Sequence, residues 1–314
     1  MALKQTLLIL DVLDHPKVNG EKVVQLFEEY EGVEAYYQTV RGGRGATDFV
    51  KIVIPGSEGK LNDGHAPTLV IIGRLGGIGA RPKRIGLVSD GDGAVAAMTV
   101  ALKLAEMKER GDVLAGDVYI TTHICPDAPT EPHEPVEFMG SPVDIFTMNQ
   151  YEVLEEMDAI ISIDTTKGNR VLNHRGITIS PTVKEGYVLK FADDLIRIKE
   201  MTTGDLAVTF AVTTQNITPY GNQVFHINSI LQPAVATSAP VVGLAIATKS
   251  VVPGSGTGAS HEIDIAQAAR FSIEVAKEFG RGTAKFYDED EFMLLNKLYG
   301  SMTHLQTLGM TTNE

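Results

Sequence analysis

Seven short runs rich in β-branched, aliphatic and aromatic residues, spread along the chain, set the tightest limit on what it can fold into. They cover residues 35–40, 49–54, 69–72, 118–122, 159–163, 206–212 and 241–247. Several are apolar almost throughout, which indicates strands covered on both faces rather than strands with one wet side. Amphipathic stretches lie between them. Residues 94–110 carry an apolar stripe of Val95, Met98, Leu102, Ala105 and Met107 that Gly111 stops, and this predicts a helix. Asp264 and Gln267 form a capping-box-like start for a second helix running to Phe279 before Gly280. Residues 20–30 and 290–299 read as further helices. The expectation is an α/β fold over residues 1–314, one domain with a mixed, mostly parallel central sheet flanked by helices.

Composition narrows the function classes. With 314 residues, 43% of them hydrophobic, the chain can bury a large core. No apolar run reaches the length that crosses a bilayer and no secretory leader is visible, so a cytoplasmic protein without membrane contact is expected. A formal charge of −13 offers no field for a phosphate backbone, so nucleic acid is not an expected partner. Cys125 is the only cysteine, which excludes a Cys-rich zinc site and favours a small buried hydrophobe. Pro and acidic residues crowd 126–142, a stretch that reads as a long structured loop.

Gly73-Arg-Leu-Gly-Gly77-Ile-Gly79 matches the spacing of a dinucleotide-binding turn. That turn must open directly onto a helix whose N-terminus faces a pyrophosphate. Here Arg81-Pro-Lys-Arg84 leads into another short apolar run instead, so no nucleotide is expected. Arg74, Arg81, Lys83 and Arg84 beside free amides suit an anion such as a substrate carboxylate.

Acids and histidines recur at the ends of the strand-like runs. Asp90 and Asp92 sit in Ser89-Asp-Gly-Asp-Gly93, His123 and Asp127 follow residues 118–122, and Asp164 follows 159–163. His261 and Glu262 lie in the glycine-rich turn from Gly254 to Asp264. Ligands gather at the carboxyl ends of strands in open α/β sheets, and carboxylates with an imidazole there suit a divalent cation. Helix capping by Asp90 and Asp92 is the competing reading.

In that order the pieces resemble the zinc exopeptidases, most closely the glutamyl and tetrahedral aminopeptidases with their phosphorylase/hydrolase-like fold. The chain also resembles a prokaryotic family known only as a domain of unknown function. The resemblance implies that Asp90 or Asp92 bridges metals, that Asp127 and Asp164 are carboxylate ligands, and that His261 is the last histidine ligand. It also marks departures: Arg74 and Gly76 stand at the His and Asp positions, Pro126 stands at the general-base Glu, and the inserted domain is missing.

Together these readings set the expectation of a hydrolase of amide bonds in a small peptide-like substrate. One divalent metal, zinc with manganese or cobalt as alternatives, would be held by Asp90, Asp92, Asp127, Asp164 and His261. His123 or Glu262 would serve as base, with Glu131 and His133 as further candidates, and Arg74 and Arg81 would bind substrate. The alternative is a non-catalytic binding or structural protein in which Arg74 takes the metal's place. A homo-oligomer is expected in either case.

Overall fold

The computed structural model describes residues 2–80, 86–134, 136–155, 157–217, 230–251 and 256–307. Its strands are β1 (Glu34–Gly42), β2 (Gly45–Ile54), β3 (Leu69–Gly73), β4 (Val118–Ile124), β5 (Thr130–Glu131), β6 (Phe138–Met139), β7 (Ala159–Thr166), β8 (Gly176–Lys184), β9 (Tyr187–Val188) and β10 (Val241–Ala247). The helices are α1 (Leu3–Leu13), α2 (Gly20–Gln25), α3 (Asp92–Glu109), α4 (Ile145–Glu152), α5 (Asp193–Thr203), α6 (Glu262–Gly280) and α7 (Glu289–Tyr299). Eight strands form one mixed sheet in the order β1-β2-β4-β3-β7-β10-β8-β9, and β5 pairs with β6 inside the long loop after β4.

The sheet is α/β and mixed, as expected, but its parallel part is narrower than the apolar runs suggested. Only β4, β3, β7 and β10 run parallel to one another, while both margins are antiparallel. The cause is local. Gly42 pairs with Gly45 across two intervening residues, and Glu185 with Gly186, at φ 48° and 83°, turns β8 into β9. Two-residue turns join antiparallel neighbours, whereas parallel neighbours need a crossover such as α3 between β3 and β4.

Two of the expected elements shift. Residues 206–212 do not form a strand; Thr209 makes a single bridge to Ile179, and Phe210 tucks into the core. The margin beside β10 is instead β8, whose Pro181 masked it in sequence. The register slips between Val242 and Leu244 there, and the Gly243 amide donates to Ser180 Oγ at 2.8 Å in place of a ladder carbonyl. Helix α6 begins at Glu262 with His261 as its N-cap, so Asp264 lies within the first turn rather than capping it.

The core lies mainly between the sheet and α3, which is buried along almost its whole length and is covered in turn by α1 and α6. A second apolar cluster covers the other face, where Val70, Ile72 and Ile160 meet Phe210, Ile217 and Leu231. Cys125 is buried among Ala80, Val88, Ala128 and Met139, and burial pushes its thiol up to about 12. No helix among the described residues is long and apolar enough to cross a membrane.

Two glycines bring the start of α3 onto the ends of β3 and β7. A Cβ on Gly93 would lie 1.9 Å from the Arg74 carbonyl oxygen and 2.6 Å from that of Ile163. One on Gly73 would lie 2.6 Å from the Gly93 carbonyl oxygen. The Ser89-Asp-Gly-Asp-Gly93 turn is thus pressed against the sheet edge, which fixes where Asp90 and Asp92 stand. Gly93→Ala must push the helix away from two backbone oxygens, and a loss of about 3 kcal/mol is expected in denaturant melts. A change below about 0.5 kcal/mol would show that the contact is not enforced.

Candidate functional site

Arg74 follows β3 directly, and its side chain is sealed from solvent. Its Nε lies 2.7 Å from Glu152 Oε2, an ion pair without hydrogen-bond alignment, and Nη2 donates to Asn149 Oδ1 at 2.6 Å. Both partners come from α4, and Asn149 donates onward to the Gln232 carbonyl oxygen. The other oxygen of Glu152 lies 2.7 Å from His123 Nδ1. The Gly76 amide donates to His123 Nε2 at 3.1 Å, so the ring carries its proton on Nδ1 and donates that proton to Glu152. The cluster is electrically balanced and closed, because a buried guanidinium requires a carboxylate beside it. This corrects two expectations. His123 has neither a free nitrogen nor exposure with which to act as a base, and Arg74 is not available to anchor a substrate or to fill a metal position among the acids.

A second group of charges lies at the carboxyl ends of β3 and β7. Asp90 lies in a 3-10 turn ahead of α3, Asp92 is the first residue of that helix, and Asp164 lies near the carboxyl end of β7. All three are buried. Asp92 Oδ1 accepts from Ser260 Oγ, and its Oδ2 lies 3.5 Å from Lys167 Nζ, which also donates to the Ala259 carbonyl oxygen at 2.9 Å. Asp164 Oδ1 accepts from the Thr165 amide at 2.7 Å. Asp90 Oδ2 is buried without a hydrogen-bond partner among the described residues.

Electrostatics single out the same residue. Burial, then the charges of Asp164 and Asp92, push the Asp90 carboxyl well above its ordinary range, and Lys167 only partly opposes them. Burial also raises Asp92 to about 6, with Lys167 and Ser260 holding it down. Among the described residues, three carboxylates are gathered near the ammonium of Lys167, an arrangement that favours a proton or a cation at Asp90. Lys167, rather than the enclosed Arg74, is the cation that the described residues place beside Asp92. Sequence reading missed it, although Asp164-Thr-Thr-Lys167 ends a strand where ligands gather.

Of the remaining expected residues, His261 directly follows the Ser260 that donates to Asp92, while others lie on the loop after β4 or outside the described chain. Asp127 is exposed on the loop after β4, and the charges that act on Asp90 come from Asp164, Asp92 and Lys167. His261 is half-buried at the start of α6, where its charge acts on Asp264, which also lies 3.7 Å from Arg175 Nε. Glu262 is exposed. Glu131 pairs with Arg44, and His133 Nδ1 is 3.0 Å from the Val136 carbonyl oxygen. Arg81, Lys83 and Arg84 lie outside the described residues, as do the first two residues of the Gly254–Asp264 turn. Among the described residues, no three His, Cys, Asp or Glu side chains are grouped as ligands for one metal ion.

Comparison with known proteins gives a family without an assigned activity. The sequence profile described as "Protein of unknown function (DUF1177)" matches residues 38–309, and the chain belongs to that family. No curated protein matches the sequence. Among solved structures, the chain is similar in fold to the bottromycin maturation enzyme BotP in complex with Mn, with a TM-score of 0.53 and 14% identity over 89% of this chain and 71% of that one. The likeness is one of fold.

Two outcomes follow from these charges. Glu152→Gln leaves Arg74 enclosed without a counter-charge and is expected to cost about 3 to 5 kcal/mol in thermal or denaturant unfolding. In chelator-treated protein, Asp90→Asn removes a crowded buried carboxylate and is expected to stabilise by about 1 to 2 kcal/mol near neutral pH. A raised carboxyl takes up its proton on folding, so wild-type stability falls as pH rises past the unfolded carboxylate range. The advantage of the Asn variant should therefore shrink on acidification toward pH 5; an advantage that grows instead would show that Asp90 is not the strained charge.

Proposed function

We propose that the crevice formed by Asp90, Asp92 and Asp164 is the working site of a metal-dependent hydrolase-like enzyme acting on an amide bond of a small peptide-like molecule. The observation that carries this reading is Asp90 Oδ2, buried and unpartnered beside two further carboxylates. Such an oxygen is unfavourable unless a cation or proton meets it. Asp90 and Asp164 would hold the ion, with Asp92 kept in place by Ser260 and Lys167. These three are oxygen donors, and His123 is committed to Glu152. Few carboxylates completed by water suit manganese or magnesium better than zinc, and the Mn complex of the structural neighbour agrees in kind. A bound divalent ion would supply Lewis-acid polarisation of an amide carbonyl. Lys167 opposes part of the negative charge around Asp90.

A second reading has its own observation. Lys167 already places an ammonium beside Asp92, and this would suffice for a non-catalytic binding protein on a hydrolase scaffold. Titration calorimetry of chelator-stripped protein with manganese and zinc separates the two. Saturable manganese binding, weakened at least tenfold by Asp90→Asn and by Asp164→Asn and tightened by Lys167→Ala, supports the enzyme; turnover of dipeptides or acylated amino acids with manganese would then establish the reaction. Binding seen only in Lys167→Ala supports the second reading. No binding in any form removes the metal from the proposal.

A further inference from the structure

Helix α1 turns Gln5, Thr6, Ile9 and Leu13 inward and leaves three leucines outside: Leu3 is 36% exposed, Leu7 51% and Leu8 47%. Together with the exposed Lys4 and Asp11 they form a continuous stripe at positions i, i+1, i+4, i+5 and i+8, the pattern of a helix face made to pack against another helix. A solvated helix face does not call for leucine at three of five positions.

The charges on the stripe are informative because they run against the helix's own field. An acid near the N-terminus and a base near the C-terminus would be favourable, yet Lys4 lies in the first turn and Asp11 in the last. The order becomes favourable when a second α1 lies antiparallel across the first. Aligning Leu7 with Leu8 of the other copy also aligns Lys4 with Asp11, Asp11 with Lys4, and Leu3 with the half-buried Val12. Every apolar position then meets an apolar one and each charge meets its opposite, which is the self-complementarity that a two-fold interface requires. Shifting the alignment by one turn would place Lys4 or Asp11 against leucine.

We infer that the outer face of α1 is the centre of a symmetric contact with a second copy of this chain, made by antiparallel pairing of the two helices. A helix of 11 residues is about 16 Å long. That is short for the roughly 800 Å² per partner of a standard interface, so association is expected to be weak and concentration-dependent. The inference is independent of the acidic crevice.

Sedimentation velocity of the full chain across about two decades of concentration tests it. The wild type is expected to shift from monomer to dimer, and Leu7→Glu to remain monomeric. Lys4→Glu and Asp11→Lys alone should each weaken association at least tenfold, because each sets like charges face to face. Mixed in equal amounts, these two variants should pair with one another, since each then offers the charge that the other lacks. All substituted residues are exposed, and unchanged thermal unfolding of each variant verifies the fold. A wild type that stays monomeric throughout, a dimer indifferent to Leu7→Glu, or a mixture no better than its components would each overturn the inference.

Discussion

A guanidinium enclosed at the end of β3 has to be neutralised where it stands, and much of the surrounding architecture follows from how Glu152 does so. One carboxylate oxygen meets Arg74 and the other accepts a hydrogen bond from His123 Nδ1, which leaves the ring's second nitrogen to accept from the Gly76 amide. The Glu152 carbonyl oxygen also receives Thr121 Oγ1 at 3.0 Å. The chain leaving β3, the end of β4 and the last turn of α4 are consequently held by one buried residue. Such a closed ionic cluster contributes specificity of arrangement more than net stability, because desolvation offsets most of the attraction.

Beside that sealed cluster stands the group of buried acids Asp90, Asp92 and Asp164. Its position depends on missing side chains as much as on present ones: Gly73 and Gly93 let α3 approach until the acids stand at the carboxyl ends of β3 and β7. Its charge depends on Lys167, which neutralises part of the cluster and leaves the rest. The two groups are thus complementary outcomes of one topology. One is closed by Arg74 at the end of β3, and the other, among the described residues, keeps the Asp90 Oδ2 oxygen without a hydrogen-bond partner.

The central strands and the long helices could be read from the chain because their signals are local: mainly aliphatic runs for β3, β7 and β10, and a stripe stopped by Gly111 for α3. The antiparallel margins could not be read, since Gly43-Arg44 and Glu185-Gly186 decide direction through turn geometry while the strands themselves look alike. Pro181 hid β8 because only the hydroxyl of Ser180 makes the break in the ladder tolerable. In the site, Asp90, Asp92 and Asp164 were legible as strand-end acids. The fate of Arg74 was not, since Glu152 lies far along the chain on a short helix without a distinctive pattern. Asp127 and His261 depend on the paths of loops, which residue type alone does not determine.

Cys125 directly follows the strand that carries His123, and its thiol is enclosed by Ala80, Val88, Ala128 and Met139. Held up at about 12, the sulfur is almost entirely protonated at neutral pH, and thiol reagents meet neither thiolate nor an approach path. With no second cysteine in the chain, the rate at which that sulfur is alkylated becomes a clock for the opening of this one edge of the sheet. The protein therefore carries an intrinsic reporter of how often its buried charge cluster comes apart.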